Sequence, residues 1–197
     1  MANQDRAPGQ RAAGTSVDGL THAAEGDAGV ALAQHLRKPI VIGTTGLSDA
    51  QQGLLRAASS AVPILYSPNM SVGVNVLFEL AQVAARRLGP AYDVEVVESH
   101  HHAKKDAPSG TAKRLAELLA AARLHPGKAV PIHSVRAGQI VGDHTVILAG
   151  PSERLELTHR AQVRELFAEG ALRAARFIVT QPPGLYEMSH VLKSGVR

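Results

Sequence analysis

The chain has 197 residues, no Cys, no Trp, and is 45% hydrophobic but only 3% aromatic; it can bury a sizeable core, and it has no disulfide, thiolate metal site or cysteine nucleophile. Its 21 basic and 17 acidic residues leave a net charge of +4. That excess suits anionic small molecules but is too weak for nucleic acid, and base-stacking side chains are scarce. A mean hydropathy of −0.03 and the lack of an apolar run near ~18 residues exclude a polyelectrolyte and a helical membrane span, which leaves a chain suited to the reducing cytoplasm.

Residues 1–19 mix Gln, Arg, Ala, Gly and Asp without an apolar period and read as a disordered tail, with no signal-peptide core and with Asp5 and Asp18 against a transit peptide. Val30, Leu32, Ala33 and Leu36 share a helical face over 28–36, broken at Lys38-Pro39. The apolar run Pro39–Ile42 ends in Gly43-Thr44-Thr45-Gly46, as buried parallel strands do. Ser48 caps a helix to about Ser59 with Leu54, Leu55 and Ala58 inward, and Val62–Tyr66 is the next strand, ending at Ser67-Pro68-Asn69. Strand, helix and strand at this spacing form a βαβ unit. Ser71 caps a helix over 72–88, stopped by Gly89-Pro90. Tyr92–Val97 is strand-like, 98–111 is a polar loop, and an Ala/Leu-rich helix covers about 111–123. Strands are expected over 129–135, 139–148 and 154–159, then a helix over 167–179 with Ala and Leu on one face and Arg173 and Arg176 on the other. A last short element spans 185–192. This order predicts a nucleotide-binding type of α/β piece joined to an α+β domain.

The densest chemistry lies in Glu98-Ser-His100-His101-His102-Ala-Lys104-Lys105-Asp106-Ala-Pro108-Ser109-Gly110-Thr111. Three imidazoles and two ammonium groups follow a strand, where open α/β sheets place ligands, and the segment runs straight into a helix start. Ser109 can cap that helix and Gly110 lets its backbone approach a ligand. The free N–H groups with the positive dipole end then suit a carboxylate. A histidine and a lysine beside such an anion can deliver a proton and stabilise negative charge. A charged loop before a helix is also often only solvated. Zinc is another use of the histidines: in a strand His100 and His102 would share a face, with Glu98 as a third ligand. No metal is expected, because a catalytic site needs better-placed ligands. The Gly43–Gly46 turn admits a flat ring or a phosphate, and Asn69 can donate to a carboxamide or simply cap its turn.

The segments Val41-Ile-Gly-Thr-Thr-Gly46, Asn69-Met-Ser-Val-Gly-Val-Asn75, Glu98 through Ala112, Ser134 through His144, Glu153 through His159 and Phe167-Ala-Glu-Gly-Ala171 occur in this order. Together they resemble the 4-hydroxy-tetrahydrodipicolinate reductase (dihydrodipicolinate reductase) family of lysine and diaminopimelate biosynthesis, over about 20–192. The resemblance implies an α/β fold. Its parts are an incomplete Rossmann-type dinucleotide-binding domain, 20–70 and 172–197, and an α+β mixed-sheet domain, 71–171, for substrate binding and tetramerisation. It also implies that NADH or NADPH delivers hydride to a small cyclic dicarboxylate. By the same resemblance His100 and Lys104 are the catalytic proton-handling pair, and His101, Gly110 and Thr111 bind the substrate carboxylate. Gly43, Thr44 and Thr45, with Ser67, Pro68, Asn69 and Met70, line the nicotinamide end of the cofactor. The expected assembly is a homotetramer, without nucleic acid or membrane.

One family segment is missing from the pattern. A strand with a Gly-rich turn of the GxxGRMG type opens such chains and cradles the pyrophosphate; Gly9, Gly14 and Gly19 follow no apolar strand. The expectation is an N-terminally truncated chain whose cofactor affinity is weakened by several kcal/mol, on the order of a thousandfold. Its Pro39–Ile42 strand should also show an unpaired edge. The alternative expectation is a non-catalytic paralogue that keeps the dicarboxylate site and the oligomer surface.

Overall fold

The computed structural model describes residues 23–122 and 129–195; the expected tail, 1–19, lies outside them. Helix α1 (Ala23–Leu36) packs against strand β1 (Ile40–Ile42) and helix α2 (Asp49–Ala58). Ser48 starts α2 through a reciprocal capping box: its hydroxyl accepts the Gln51 amide, and its own N–H donates to the Gln51 side chain. Leu55 and Ala58 are buried with Val30, Ile42, Val62 and Ile64. Leu54, expected inward, is 51% exposed. A ten-residue helix meets its sheet along one narrow stripe, and Leu54 lies more than a quarter-turn from Leu55.

Strand β2 (Pro63–Tyr66) runs parallel to β1, and β7 (Gly184–Tyr186) runs parallel on its other side, giving the order β1-β2-β7. Helices α5 (Glu165–Ile178) and α6 (Met188–Lys193) cover the second face, where Leu65, Met70, Ala174, Phe177, Ile178, Met188 and Val191 form one cluster. Burial on both faces is why β1 and β2 read as continuous apolar runs. The free edge of β1 pairs with no strand among the described residues. Two expectations need correction. The single element over 185–192 is split at Glu187, because Leu185 and Tyr186 pair with β2 before the chain turns into α6. On α5 the buried stripe is Gly170, Ala174, Phe177 and Ile178, so Leu172 faces outward.

Helix α3 (Val72–Leu88) joins the two halves. It starts at Ser71, whose hydroxyl accepts the Val74 amide, and ends at Gly89, whose φ of 71° is a left-handed conformation suited to glycine. It packs on helix α4 (Gly110–Ala122), on strand β6 (Arg154–Ala161) and on α6. The second sheet has the order β4-β3-β5-β6, where β3 is Asp93–His100, β4 is Ile132–Arg136 and β5 is Gly142–Ala149. Strand β3 is parallel to β4 and antiparallel to β5. Its inward Val94 and Val96, with Val146 and Leu148 of β5, bury against Leu77, Ala81, Leu115 and Leu119 of α3 and α4. The expected end of β3 at Val97 is too early: Glu98 and Ser99 stay paired on both sides, and His100 on the β4 side. Polar residues can continue a central strand here because the inward-pointing ones, Glu98 and His100, find partners.

Candidate active site

At the end of β3 the alternation of the strand sends Glu98 and His100 to the buried face. Glu98 is fully buried, and its carboxylate is met by donors. Arg136 grips it with both ends of its guanidinium, 2.9 Å to Oε2 and 2.8 Å to Oε1. His100 Nδ1 lies 2.5 Å from Oε2, and the Ser109 amide donates to Oε1 at 3.3 Å. Arg136 is placed there by register, since the parallel pairing sets it opposite His100. The same guanidinium donates to the Asp106 carbonyl at 2.6 Å, while Lys104 pairs with the Asp106 carboxylate at 2.7 Å. One arginine therefore ties the strand end to the loop that carries Lys104.

These contacts set the protonation states. Burial alone would raise the Glu98 carboxyl, but the hydrogen bonds from Arg136, Ser134 and His100 bring it down to about 2. Burial lowers His100, against the pull of Glu98 toward the charged form, and the nearby Lys104 and Arg136 charges add to the lowering. The hydrogen bond from Lys104 lowers Asp106. His144, buried on β5, is brought down to about 3, mainly by burial and then by its His100 neighbour. Its ring stands edge-on to His100 with centroids 5.2 Å apart, and its Nε2 is 3.3 Å from Ser109 Oγ. So His100 and His144 are neutral at neutral pH, beside cationic Lys104 and Arg136.

Ser109 does cap α4: its hydroxyl accepts the Ala112 amide at 3.2 Å. The amides of Gly110 and Thr111 are left at the mouth of a 13-residue helix, a place for an outside anion. The second loop set stands at the ends of β1 and β2, joined by the Ser67 amide donating to the Ile42 carbonyl at 3.0 Å. Thr44 and Ser67 are buried, Gly43 is half-buried and Thr45 is exposed. The Asn69 side chain has two partners. Its Oδ1 accepts the Ser71 amide at 2.9 Å, the turn-capping use, and its Nδ2 donates to Thr111 Oγ1 at 2.9 Å. That second bond links the two loop sets directly. No carboxylate side chain occurs in Gly43–Gly46 or Ser67–Met70, so this wall suits an uncharged carboxamide ring.

The sequence-derived metal set does not assemble. His102 lies beyond the end of β3, exposed, with its Nδ1 2.9 Å from the Gly138 carbonyl, while Glu98 is consumed by Arg136 and His100. His101 is half-buried in the following turn, its carbonyl accepting the Lys104 amide. Sequence reading missed the roles of Arg136 and His144, although both fall in segments it singled out; only strand register shows which carboxylate or helix cap each one meets. Two cavities occur nearby. One, of about 540 Å³, lies between Gly73, His159 and α5, and the other, of about 400 Å³, opens between α2, α3 and α4 and includes Ser67 and Pro68. Neither includes His100 or Lys104, which stand at the strand-to-helix junction.

Comparison with known proteins gives consistent matches. The family model described as dihydrodipicolinate reductase, C-terminus, matches residues 73–192, and that described as dihydrodipicolinate reductase, N-terminus, matches 13–70. The 4-hydroxy-tetrahydrodipicolinate reductase of Anaeromyxobacter sp. (strain Fw109-5) is 49% identical over 170 residues, covering 78% of this chain and 63% of that protein. Its namesake in Aromatoleum aromaticum is 45% identical over 180 residues, covering 83% and 65%. The chain thus spans just under two thirds of the length of these curated relatives. Among solved structures, dipicolinate-bound dihydrodipicolinate reductase from Paenisporosarcina sp. TG-14 superposes with a TM-score of 0.70 at 26% identity, covering 85% of this chain and 69% of that one.

Proposed function

Because the chain belongs to the dihydrodipicolinate reductase family, we propose that its site serves the NAD(P)H-dependent reduction of 4-hydroxy-tetrahydrodipicolinate to tetrahydrodipicolinate in lysine and diaminopimelate biosynthesis. The observation that carries this reading is the junction of β3 and α4: neutral His100 ends the strand, cationic Lys104 stands in the connecting loop against Asp106, and the Gly110 and Thr111 amides open the helix. A carboxylate of the substrate docks on those two amides with His101 alongside. Lys104 and His100 supply and relay the proton that accompanies hydride addition and the departure of the 4-hydroxyl as water, and Lys104 offsets negative charge as it develops. NADH or NADPH, when bound, supplies the hydride. Gly43, Thr44 and Thr45 with Ser67, Pro68, Asn69 and Met70 would hold its nicotinamide end. Residues 20–70 and 172–197 then serve the cofactor, and 71–171 serve the substrate and a homotetramer in the cytoplasm. The outer face of the second sheet, which carries Val97, Ile147 and the 44% exposed Val135, supports such assembly.

The test is titration with pyridine-2,6-dicarboxylate, NADH and NADPH, followed by turnover with substrate. We expect dicarboxylate binding that perturbs Thr111, and loss of about 100-fold or more in kcat for His100→Ala and Lys104→Ala with the fold retained. Unchanged kcat in both variants would remove these residues from the chemistry. Dicarboxylate binding without either dinucleotide would favour a binding module instead.

A further inference from the structure

We infer that Glu98 and Arg136 are positioning residues of this site: the Glu98 carboxylate, locked by Arg136, makes His100 carry its ring proton on Nδ1 and present a bare Nε2, while the same guanidinium steadies the Lys104 loop. For its bearing on turnover this rests on the reductive reading above; for the state of the imidazole it stands alone.

An ionised carboxylate only accepts hydrogen bonds, so the 2.5 Å contact requires His100 Nδ1 to be the donor. In the neutral imidazole this leaves Nε2 without a proton, an acceptor for a proton arriving from substrate, solvent or Lys104. Glu98 cannot rotate away from the task. It is fully buried, and the two-pronged grip of Arg136 on both oxygens fixes the carboxylate plane. On its other side Nε2 faces the backbone of β5 at Gly142, where an added Cβ would sit 3.1 Å away. The remaining charged or titratable neighbours are accounted for. His144 spends its Nε2 on the α4 cap, and Lys104 is held by Asp106. Arg136 reaches that loop a second time through the Asp106 carbonyl, so one buried pair sets the geometry of both proton-handling side chains.

A pair that merely fastened β3 to β4 would leave the imidazole free to choose its tautomer, and that is the distinguishing measurement. The full chain is labelled with ¹⁵N, and ring nitrogen–proton correlations are recorded near neutral pH, with His100 assigned by its loss in His100→Gln. The expected wild-type pattern is a protonated Nδ1 and a bare Nε2. Glu98→Gln, which keeps the shape and removes the charge, should move the proton substantially to Nε2. It should also lower kcat by about 10- to 100-fold with little change in KM. Glu98→Asp should restore the Nδ1–H pattern in part. Arg136→Lys, which cannot reproduce the fork, should broaden the His100 signals and lower kcat roughly tenfold. A wild-type ring protonated on Nε2, or a tautomer untouched by Glu98→Gln, overturns the proposal. If Glu98→Gln does not fold, the wild-type pattern and Arg136→Lys decide. A chain that never oxidises NADH or NADPH sinks the reductive reading and leaves the ring measurement intact.

Discussion

The end of β3 and the ends of β1 and β2 deliver side chains to the same site by different physical means. The β3 end holds its groups with buried charge: one carboxylate, one guanidinium and two neutral imidazoles in mutual contact. The loops after β1 and β2 hold theirs with backbone bonds and the neutral side chains of Ser67, Asn69 and Asn75, and depend on close backbone approach. Each region is therefore vulnerable to a different insult. Charge networks fail when protons or partners change; neutral loops fail when a side chain intrudes.

Acidification is the strongest way to separate the two. Glu98 and His144 both have lowered values in the folded state, about 2 and about 3, so their contributions are intact above the unfolded values and are lost as pH falls. The window for His144 runs from about 6.5 downward to about 3, and that for Glu98 from about 4.5 to about 2. We expect amide protection factors, corrected for the intrinsic exchange rate, to fall between pH 7 and pH 3 first in β3, β5 and the start of α4, with β2 lagging. Simultaneous loss of protection in both sheets would erase the distinction.

A smaller effect comes from crowding the neutral side. A Cβ at Gly170 would collide with the Met70 carbonyl, a backbone atom with no freedom to retreat. Gly170→Ala should destabilise by about 1–3 kcal/mol in urea unfolding, with its pH dependence like that of the parent. A larger penalty in acid would mean the two regions are not separable. The smallest expected change is at their bridge. Asn69→Ala removes the bond to Thr111 and the cap on Ser71, and should cost about 1 kcal/mol of stability. It should also weaken pyridine-2,6-dicarboxylate binding several-fold by freeing Thr111, as calorimetry can read. Unaltered binding would make the bridge structural only.

Much of this was legible in the chain. Residues such as Ser48, Ser71 and Ser109 announce helix starts because their hydroxyls satisfy amides only a few positions ahead. The apolar runs before Gly43 and Ser67 announce covered parallel strands for the same local reason. Leu54 and Leu172 misled, since an apolar residue is inward only if a neighbouring element lies over it. The end of β3 misled for a related reason: Glu98-Ser99-His100 reads as loop until two other strands and a distant arginine satisfy it.

By itself, the sequence determined the elements, the anion-receptive start of α4 and the residue types gathered before it, because capping, periodicity and motif order act over a few positions. The tertiary structure alone decided that Arg136 lies opposite His100, that Glu98 becomes a buried acceptor rather than a metal ligand, and that Asn69 reaches Thr111. Those pairings join residues up to 42 positions apart. They follow from strand register and helix packing, to which no local pattern is sensitive.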